Sequence, residues 1–151
     1  MSMDPQDWRR TVIVPPGMER NYRAFGYAPA VRTGPFLHIA GQVGRDADCE
    51  LIHDARGQIR QAWNNLGIVL EAAGAVTGDI VDIVSYHVDL ERHLAVFKQE
   101  RDRFLGSDLA SRPCWTAVGV SRLSRPGMIV EIKALAVIGS HGGAGNFKGI
   151  R

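Results

Sequence analysis

Cysteine and clustered metal ligands are scarce in this sequence. The two cysteines, Cys49 and Cys114, are far apart and belong to no C-x-x-C pair, which favours two reduced thiols and leaves a single disulfide as the alternative. The five histidines share no ligand spacing with one another or with a cysteine. The sequence therefore predicts no metal site.

Long hydrophobic runs are absent as well. No apolar stretch approaches the roughly 18–20 residues that cross a bilayer. The first ten residues are polar and of mixed charge, unlike a signal peptide. We therefore expect a cytoplasmic protein that does not enter a membrane.

Charge of one sign is not in excess either. The 18 Lys and Arg residues stand against 16 Asp and Glu residues, which gives a formal net charge of +2. Proteins that bind nucleic acid usually present a basic face or stripe, whereas the basic runs here are short, such as Arg9-Arg10. The charge pattern thus counts against nucleic acid as a partner.

Two common functional motifs are missing too, the phosphate-binding P-loop and the serine nucleophile elbow.

The sequence does contain enough apolar material for one core. Of its 151 residues, 45% are hydrophobic, which suits a single globular domain. We place that domain at residues 1–138. A flexible tail is predicted at 139–151, where five glycines lie among small and polar residues.

Two amphipathic helices are predicted from the spacing of apolar residues. The first begins after Asp54, a suitable N-cap, and ends at Gly74, because glycine commonly stops a helix. The second begins near Leu90 and ends near Gly106. The apolar positions that repeat with the helical period in the first helix are Ile59, Ala62, Trp63, Leu66, Leu70 and Ala73.

Six other segments are typical of β-strands, and turn residues such as Pro15-Pro16-Gly17 separate them. The element order is β, β, β, α, β, α, β, β, which predicts an α+β fold with one mixed sheet and both helices on one face. The other face also carries apolar residues and has no predicted helix to cover it, which favours oligomerisation. The predicted strands lie near residues 11–14, 30–32, 36–41, 80–88, 115–120 and 128–138.

Three pairs of sequence strings recur in a recognisable order. GYAPAV at 26–31 leads to AGQV at 40–43, LEAAG at 70–74 leads to DIV at 79–81, and RPCWTAV at 112–118 leads to VEIKA at 130–134. No single string is specific, but the set is. Across residues 25–137 it resembles the Rid family, also called the YjgF, reactive intermediate deaminase or endoribonuclease L-PSP-like family.

That resemblance implies a chorismate-mutase-like fold and a homotrimer. In such a trimer the sheets form a central barrel, and three clefts between subunits take a small molecule. Well-known members hydrolyse reactive imines and enamines without any cofactor, so no cofactor is expected here. An arginine holds the substrate carboxylate in those members, and a glutamate on the last strand positions the attacking water.

Three residues of this chain match the family's site. Glu131 stands at the glutamate position and is the candidate catalytic residue. Tyr27 stands at the position of the pocket tyrosine. Gly41 stands where the family's backbone approaches the ligand, and the absence of a side chain there permits close contact.

Three other positions depart from the family pattern. Trp115 stands at the arginine position, Phe97 at that of an asparagine, and Ala117 at that of a cysteine. All three changes favour a more apolar pocket, so we expect these residues to contact a ligand less anionic than a 2-imino acid. Arg32 or Arg112 is the alternative source of a cation.

Each of these predictions has a structural alternative. Trp115 either stacks on a flat ligand or fills the cleft as a core residue. Glu131, which we expect within reach of position 115, is otherwise one end of a salt bridge to Lys133. Tyr27 otherwise only packs.

Three functions remain open on the sequence alone. The first is a cofactor-independent enzyme that adds water to a C=N bond. The second is a binding or protective module without turnover. The third is an RNA-acting protein, because some relatives carry ribonuclease labels, although the near-neutral charge counts against it.

Overall fold

One mixed sheet of six strands organises the fold. The computed structural model describes residues 8–142. The strand order is β1-β2-β3-β6-β4-β5, and all neighbours are antiparallel except β4 and β5. The strands are β1 (Thr11–Ile13), β2 (Ala30–Thr33), β3 (Phe36–Val43), β4 (Ile80–Val88), β5 (Cys114–Val120) and β6 (Val130–Val137). The predicted α+β class with one mixed sheet is confirmed.

Both predicted helices are present, as α2 (Ala55–Ala72) and α3 (Leu90–Leu105). The Asp54 side chain caps α2 by accepting a hydrogen bond of 2.7 Å from the backbone N–H of Gly57. Gly74 follows α2 with a φ of 71°, in the left-handed region that glycine adopts readily. The apolar stripe of α2 is fully buried, and it packs with Phe97 of α3 against the sheet.

A short helix that the sequence analysis did not predict, α1 (Glu19–Phe25), lies between β1 and β2. None of its seven residues is buried. It ends at Gly26, whose φ is 71° and whose N–H donates to the carbonyl oxygen of Tyr22. Because α1 buries no side chain, it has no apolar stripe from which the helical period could be recognised.

The strands present two different faces, as their alternation predicts. Ile83, Ser85 and His87 of β4 are buried under the helices, and we call this side the helix face. Val84 and Tyr86 lie half-buried on the opposite side, the open face. Alternation along each strand therefore decides which residues can share a site.

The last strand is tied down just beyond its end. The buried carboxylate of Asp79 accepts hydrogen bonds from the backbone N–H of Gly139 at 3.0 Å and from Nδ1 of His141 at 2.7 Å. Residues 139–142, the first part of the predicted tail, are therefore held against the domain. The remainder of that predicted tail, 143–151, lies outside the described residues.

None of the helices within residues 8–142 combines the length and the hydrophobicity that a membrane span requires.

A buried carboxylate joins α2 to α3. Glu100, whose side chain is 3% exposed, accepts hydrogen bonds from Arg56 at 2.8 Å and from Arg60 at 3.0 Å. The hydrogen bonds from Arg60, ahead of those from Arg56, lower the pKa of Glu100 from 4.5 to about 2. Both arginines are nearly half exposed, so solvent screens part of the attraction.

Glu100→Gln should therefore lower the free energy of unfolding at pH 7 by about 1–3 kcal/mol. A carboxylate with a lowered pKa in the folded state stabilises the protein above its unfolded pKa. That contribution disappears as the pH falls from 4.5 towards 2, so the two proteins should converge there. Urea unfolding between pH 7 and pH 2.5 measures the difference, with exposed Glu91→Gln on the same helix as the control. An equal gap at every pH would contradict the linkage.

Candidate functional site

A concavity of about 570 Å³ on the open face brings together three of the predicted site residues, Tyr27, Gly41 and Glu131. β6 supplies Glu131, whose register places it beside Val43 of β3 and Tyr86 of β4. β3 supplies Gly41. Tyr27 comes from the turn before β2, and its side chain is 43% exposed.

Gly41 makes room for the Glu131 side chain. A Cβ atom built on residue 41 would collide with the carboxylate of Glu131. From the sequence, this glycine is expected to let a ligand approach the backbone. The structure gives the position a further role, because the missing side chain leaves the space that the carboxylate of Glu131 occupies beside β3.

The carboxylate of Glu131 is partly removed from water. Burial raises its pKa above the ordinary 4.5, while the positive charges of Arg45 and Lys133 act in the opposite direction. Lys133 and Glu131 both lie in the described part of the chain, and they form no salt bridge with each other there. The structure therefore does not contain the Glu131–Lys133 ion pair that was the alternative for this glutamate. A carboxylate of raised pKa is a stronger base for a nearby water molecule.

Arg45 is a member of this concavity that the sequence analysis missed. Its Nη2 donates a hydrogen bond of 3.2 Å to the hydroxyl of Tyr27, and its guanidinium lies 5.0 Å from the ring centre of Phe25. Tyr27 in turn stacks on Phe25 at 6.3 Å. Arg45 follows β3 in a polar loop, where no motif or period distinguishes it from surface arginines.

The two arginines considered as alternative cations for the site form hydrogen bonds outside it. Arg32 donates to the carbonyl oxygen of Gly34 at 2.9 Å. Arg112 donates to Asp102 at 2.7 Å and to the carbonyl oxygen of Gly106 at 2.6 Å. Neither of them lines the concavity around Glu131.

Trp115 is held in place on the helix face of β5. Its indole N–H donates a hydrogen bond of 2.8 Å to the hydroxyl oxygen of Ser85. One ring face stacks on Phe97 at 5.6 Å, and the guanidinium of Arg101 covers the ring at 4.7 Å. The ring is nevertheless only half-buried, and it lines a separate concavity of about 320 Å³ together with Arg101 and Arg112. Both interpretations of Trp115, a packed core residue and a ligand contact, therefore stay open.

Ser85 links Trp115 to a buried histidine. The Ser85 oxygen lies 2.7 Å from Nε2 of His87, so the hydroxyl can donate there while it accepts from the indole. Burial, with a smaller contribution from His93, lowers the pKa of His87 to about 4, so its ring is neutral at pH 7. The hydrogen bonds from His87 through Ser85 to Trp115 therefore hold the indole ring in its orientation from the buried side.

Phe97 is fully buried, with 0% exposure, and it packs on Trp63, His87 and Trp115. It offers no surface to a ligand in this fold, and we leave it out of the proposed site. Ala117 lies on the helix face too, because it pairs with Ser85.

The two groups of predicted residues occupy opposite faces of the sheet. Tyr86 pairs with Glu131 on one side and with Val118 on the other, so those residues share the open face. Trp115, three residues before Val118, points to the helix face. The expectation that Glu131 lies within reach of position 115 is therefore wrong within one chain.

Metal ligands are not gathered anywhere in the described residues. No group of three or more His, Cys, Asp or Glu side chains is placed to hold an ion in residues 8–142.

These features define a class of protein: an α+β domain with two long helices behind a mixed sheet and a partly buried glutamate on the open face. The family model described as Endoribonuclease L-PSP matches residues 19–138. The chain therefore belongs to the YjgF/Rid family, as its sequence strings predicted.

Relatives and solved structures agree with that assignment. A RutC family protein, YjgH of Escherichia coli (strain K12), is 36% identical over 129 residues, covering 85% of this chain and 95% of the relative. The solved structure named Protein YJGH superposes on this chain with a TM-score of 0.78, and the match covers 85% of this chain and 96% of that structure. A 2-iminobutanoate/2-iminopropanoate deaminase of Escherichia coli (strain K12) is 30% identical over 112 residues, covering 74% of this chain and 86% of the deaminase.

Proposed function

We propose that this chain forms a cytoplasmic homotrimer that binds a small organic molecule in clefts between its subunits. There Glu131 activates a water molecule for addition to the carbon of a reactive imine or enamine, and no cofactor takes part. The observation that carries the proposal is the single concavity that holds Tyr27, Gly41 and the partly buried Glu131. The relatives named as imine deaminases support the same reaction class.

The two faces of the sheet support the proposed location between subunits. Glu131 lies on the open face, whose apolar side chains are only half-buried in one chain, whereas Trp115 lies on the helix face of the edge strand β5. A second copy packed on the open face would bury those apolar side chains. It would also close the concavity with residues that the first chain cannot supply.

The chemistry assigns one task to each residue. Glu131 takes a proton from water as the oxygen attacks the C=N carbon and passes it to the nitrogen, which gives a carbinolamine. It then takes the hydroxyl proton of the carbinolamine and passes it to the nitrogen as the C–N bond breaks, so that a carbonyl compound and ammonia leave. Gly41 keeps the carboxylate in place, and Arg45 orients the hydroxyl of Tyr27 towards the ligand. Arg45 and Lys133 give the concavity positive charge, but neither stands at the position of the family's arginine, which is Trp115 here, so we propose a substrate less anionic than a 2-imino acid.

Light scattering tests the assembly. We expect a particle of three times the 16.5 kDa subunit mass at micromolar concentration. Exclusion of the apolar open face from water is the driving force, so the mass should not fall at 1 M salt. A monomeric mass would remove both the trimer and the proposed cleft.

A turnover assay tests the reaction. The assay compares two imines with the same C=N bond. The imine generated from an amino acid carries a carboxylate, and the imine generated from the amide of that amino acid is neutral. We expect ammonia release from the neutral imine, and near-background release from the 2-imino acid because position 115 has no guanidinium. Saturable binding of the neutral compound without ammonia release would instead favour the binding or protective module.

A further inference from the structure

A second, smaller cavity of about 170 Å³ lies between α1, α2 and the loop that follows β3. Four carboxamide side chains line it: Asn21, Gln42, Gln61 and Asn65. None of the four takes part in the reaction proposed above. Tyr27 and Arg45 line both cavities, so this pair of side chains forms a shared wall.

One of the four amides is fully used by the fold. The amide nitrogen of Asn65 donates to the carbonyl oxygens of Val43 at 2.8 Å and of Arg45 at 2.9 Å. Its side-chain oxygen accepts from Nε2 of Gln61 at 2.9 Å. Asn65 therefore fixes the loop after β3 and orients Gln61.

The other amides keep unused hydrogen-bonding atoms. Gln42 is only 7% exposed, and its amide nitrogen donates to the carbonyl oxygen of Ala40 at 2.9 Å. No residue in the described range 8–142 donates to its side-chain oxygen. The oxygen of Asn21 accepts from the thiol of Cys49 at 2.6 Å, which leaves the Asn21 amide nitrogen as a donor. These free oxygen and nitrogen atoms of half-buried or buried amides are available to form hydrogen bonds with a polar molecule in the cavity they line.

We propose that this cavity is a second binding site, for a small neutral molecule with a planar amide or urea group. The N–H donors of the ligand would bond to the side-chain oxygens of Gln42 and Gln61. Its carbonyl oxygen would accept from the amide nitrogen of Asn21. The cavity is smaller than the roughly 300–1,000 Å³ of common ligand sites, so only a ligand of a few heavy atoms can fit.

The charges around the cavity favour a neutral ligand. Arg45 and Asp46 both line it, so a cation and an anion would each meet one like charge. An uncharged amide avoids both penalties and can still donate a hydrogen bond to the side-chain oxygen of Gln42. The site is independent of the reaction at Glu131, although it shares the wall formed by Tyr27 and Arg45.

Acetamide titrated into the full-length, ¹⁵N-labelled protein tests the proposal. We expect saturable shifts of the amide resonances at Asn21, Gln42 and Gln61, with a Kd in the range of about 1–50 mM for so small a ligand. Acetone lacks the N–H donors and acetate adds a charge, so each should bind at least roughly tenfold more weakly. Shifts that do not saturate, or equal shifts with acetone, would overturn the proposal.

Variants locate the bound amide. Asn21→Leu and Gln61→Leu should each weaken acetamide binding by about three- to tenfold, the effect of one lost hydrogen bond. Asn64→Leu, exposed on the same helix as Gln61, and Glu131→Gln should bind it as the original protein does. Asn21 belongs to a helix with no buried residue, so its variant should fold. Unchanged binding in both Asn21→Leu and Gln61→Leu, or loss of binding in Glu131→Gln, would exclude the proposed site.

Discussion

Glu131→Gln should lower kcat/KM for hydrolysis of a neutral imine by about 10²–10⁴-fold, because the amide cannot accept a proton from water. The protein should still fold, since glutamine fits the space beside Gly41 that the carboxylate occupies. Ammonia release under steady-state conditions measures the effect. Glu91→Gln, an exposed carboxylate of α3 that does not line the concavity, is the matched control and should retain the activity.

The pH profile separates a base from a merely structural glutamate. Activity of the original protein should rise with pH as Glu131 loses its proton, with a midpoint above 4.5 because burial raises that pKa. The glutamine variant should lack this acidic limb. Gly41→Ala should also reduce the rate, because its Cβ displaces the carboxylate. A Glu131→Gln variant with full activity would exclude the proposed base.

Trp115→Arg should lower the melting temperature by roughly 10 °C, from a loss of about 2–4 kcal/mol in a domain of this size. The new guanidinium would replace the indole between Phe97 and Arg101, where it meets an apolar ring and a like charge. The hydroxyl of Ser85 would also lose its N–H donor. Thermal melts at several protein concentrations separate this effect from any change in assembly.

Trp115→Phe is the control for this substitution. It keeps an aromatic ring beside Phe97 but loses the hydrogen bond to Ser85 and part of the ring that Arg101 covers, so it should cost less than the arginine, about 0.5–1.5 kcal/mol. An unchanged melt for Trp115→Arg, together with new carboxylate binding by calorimetry, would show instead that position 115 faces an open cleft.

Most of the fold could be predicted because its signals are local and periodic. Asp54 and Gly74 mark the two ends of α2, and the alternation of β4 separates Ser85 from Tyr86. Helix α1 could not be predicted, because it buries nothing and is recognisable only from its hydrogen bonds. The strand order also lies beyond the sequence pattern, since β6 pairs between β3 and β4 through contacts distant along the chain.

The candidate site was predicted in part, and through family resemblance. Tyr27, Gly41 and Glu131 lie around one concavity, but Arg45 carries no sequence signal because its role depends on where a loop places it. Trp115 and Phe97 match two site positions of the family, yet here they stack on each other. Pairwise packing of that kind cannot be recognised from residues considered one at a time.

The chain of contacts through Trp115 has an evolutionary consequence. Ser85, Phe97 and Trp115 each suit the others, so any one of them replaced alone leaves a partner without its contact. Arginine at position 115 would be tolerated only after its neighbours had changed. Substitutions at these three sites should therefore be epistatic, which means that their effects on the free energy of unfolding should not add.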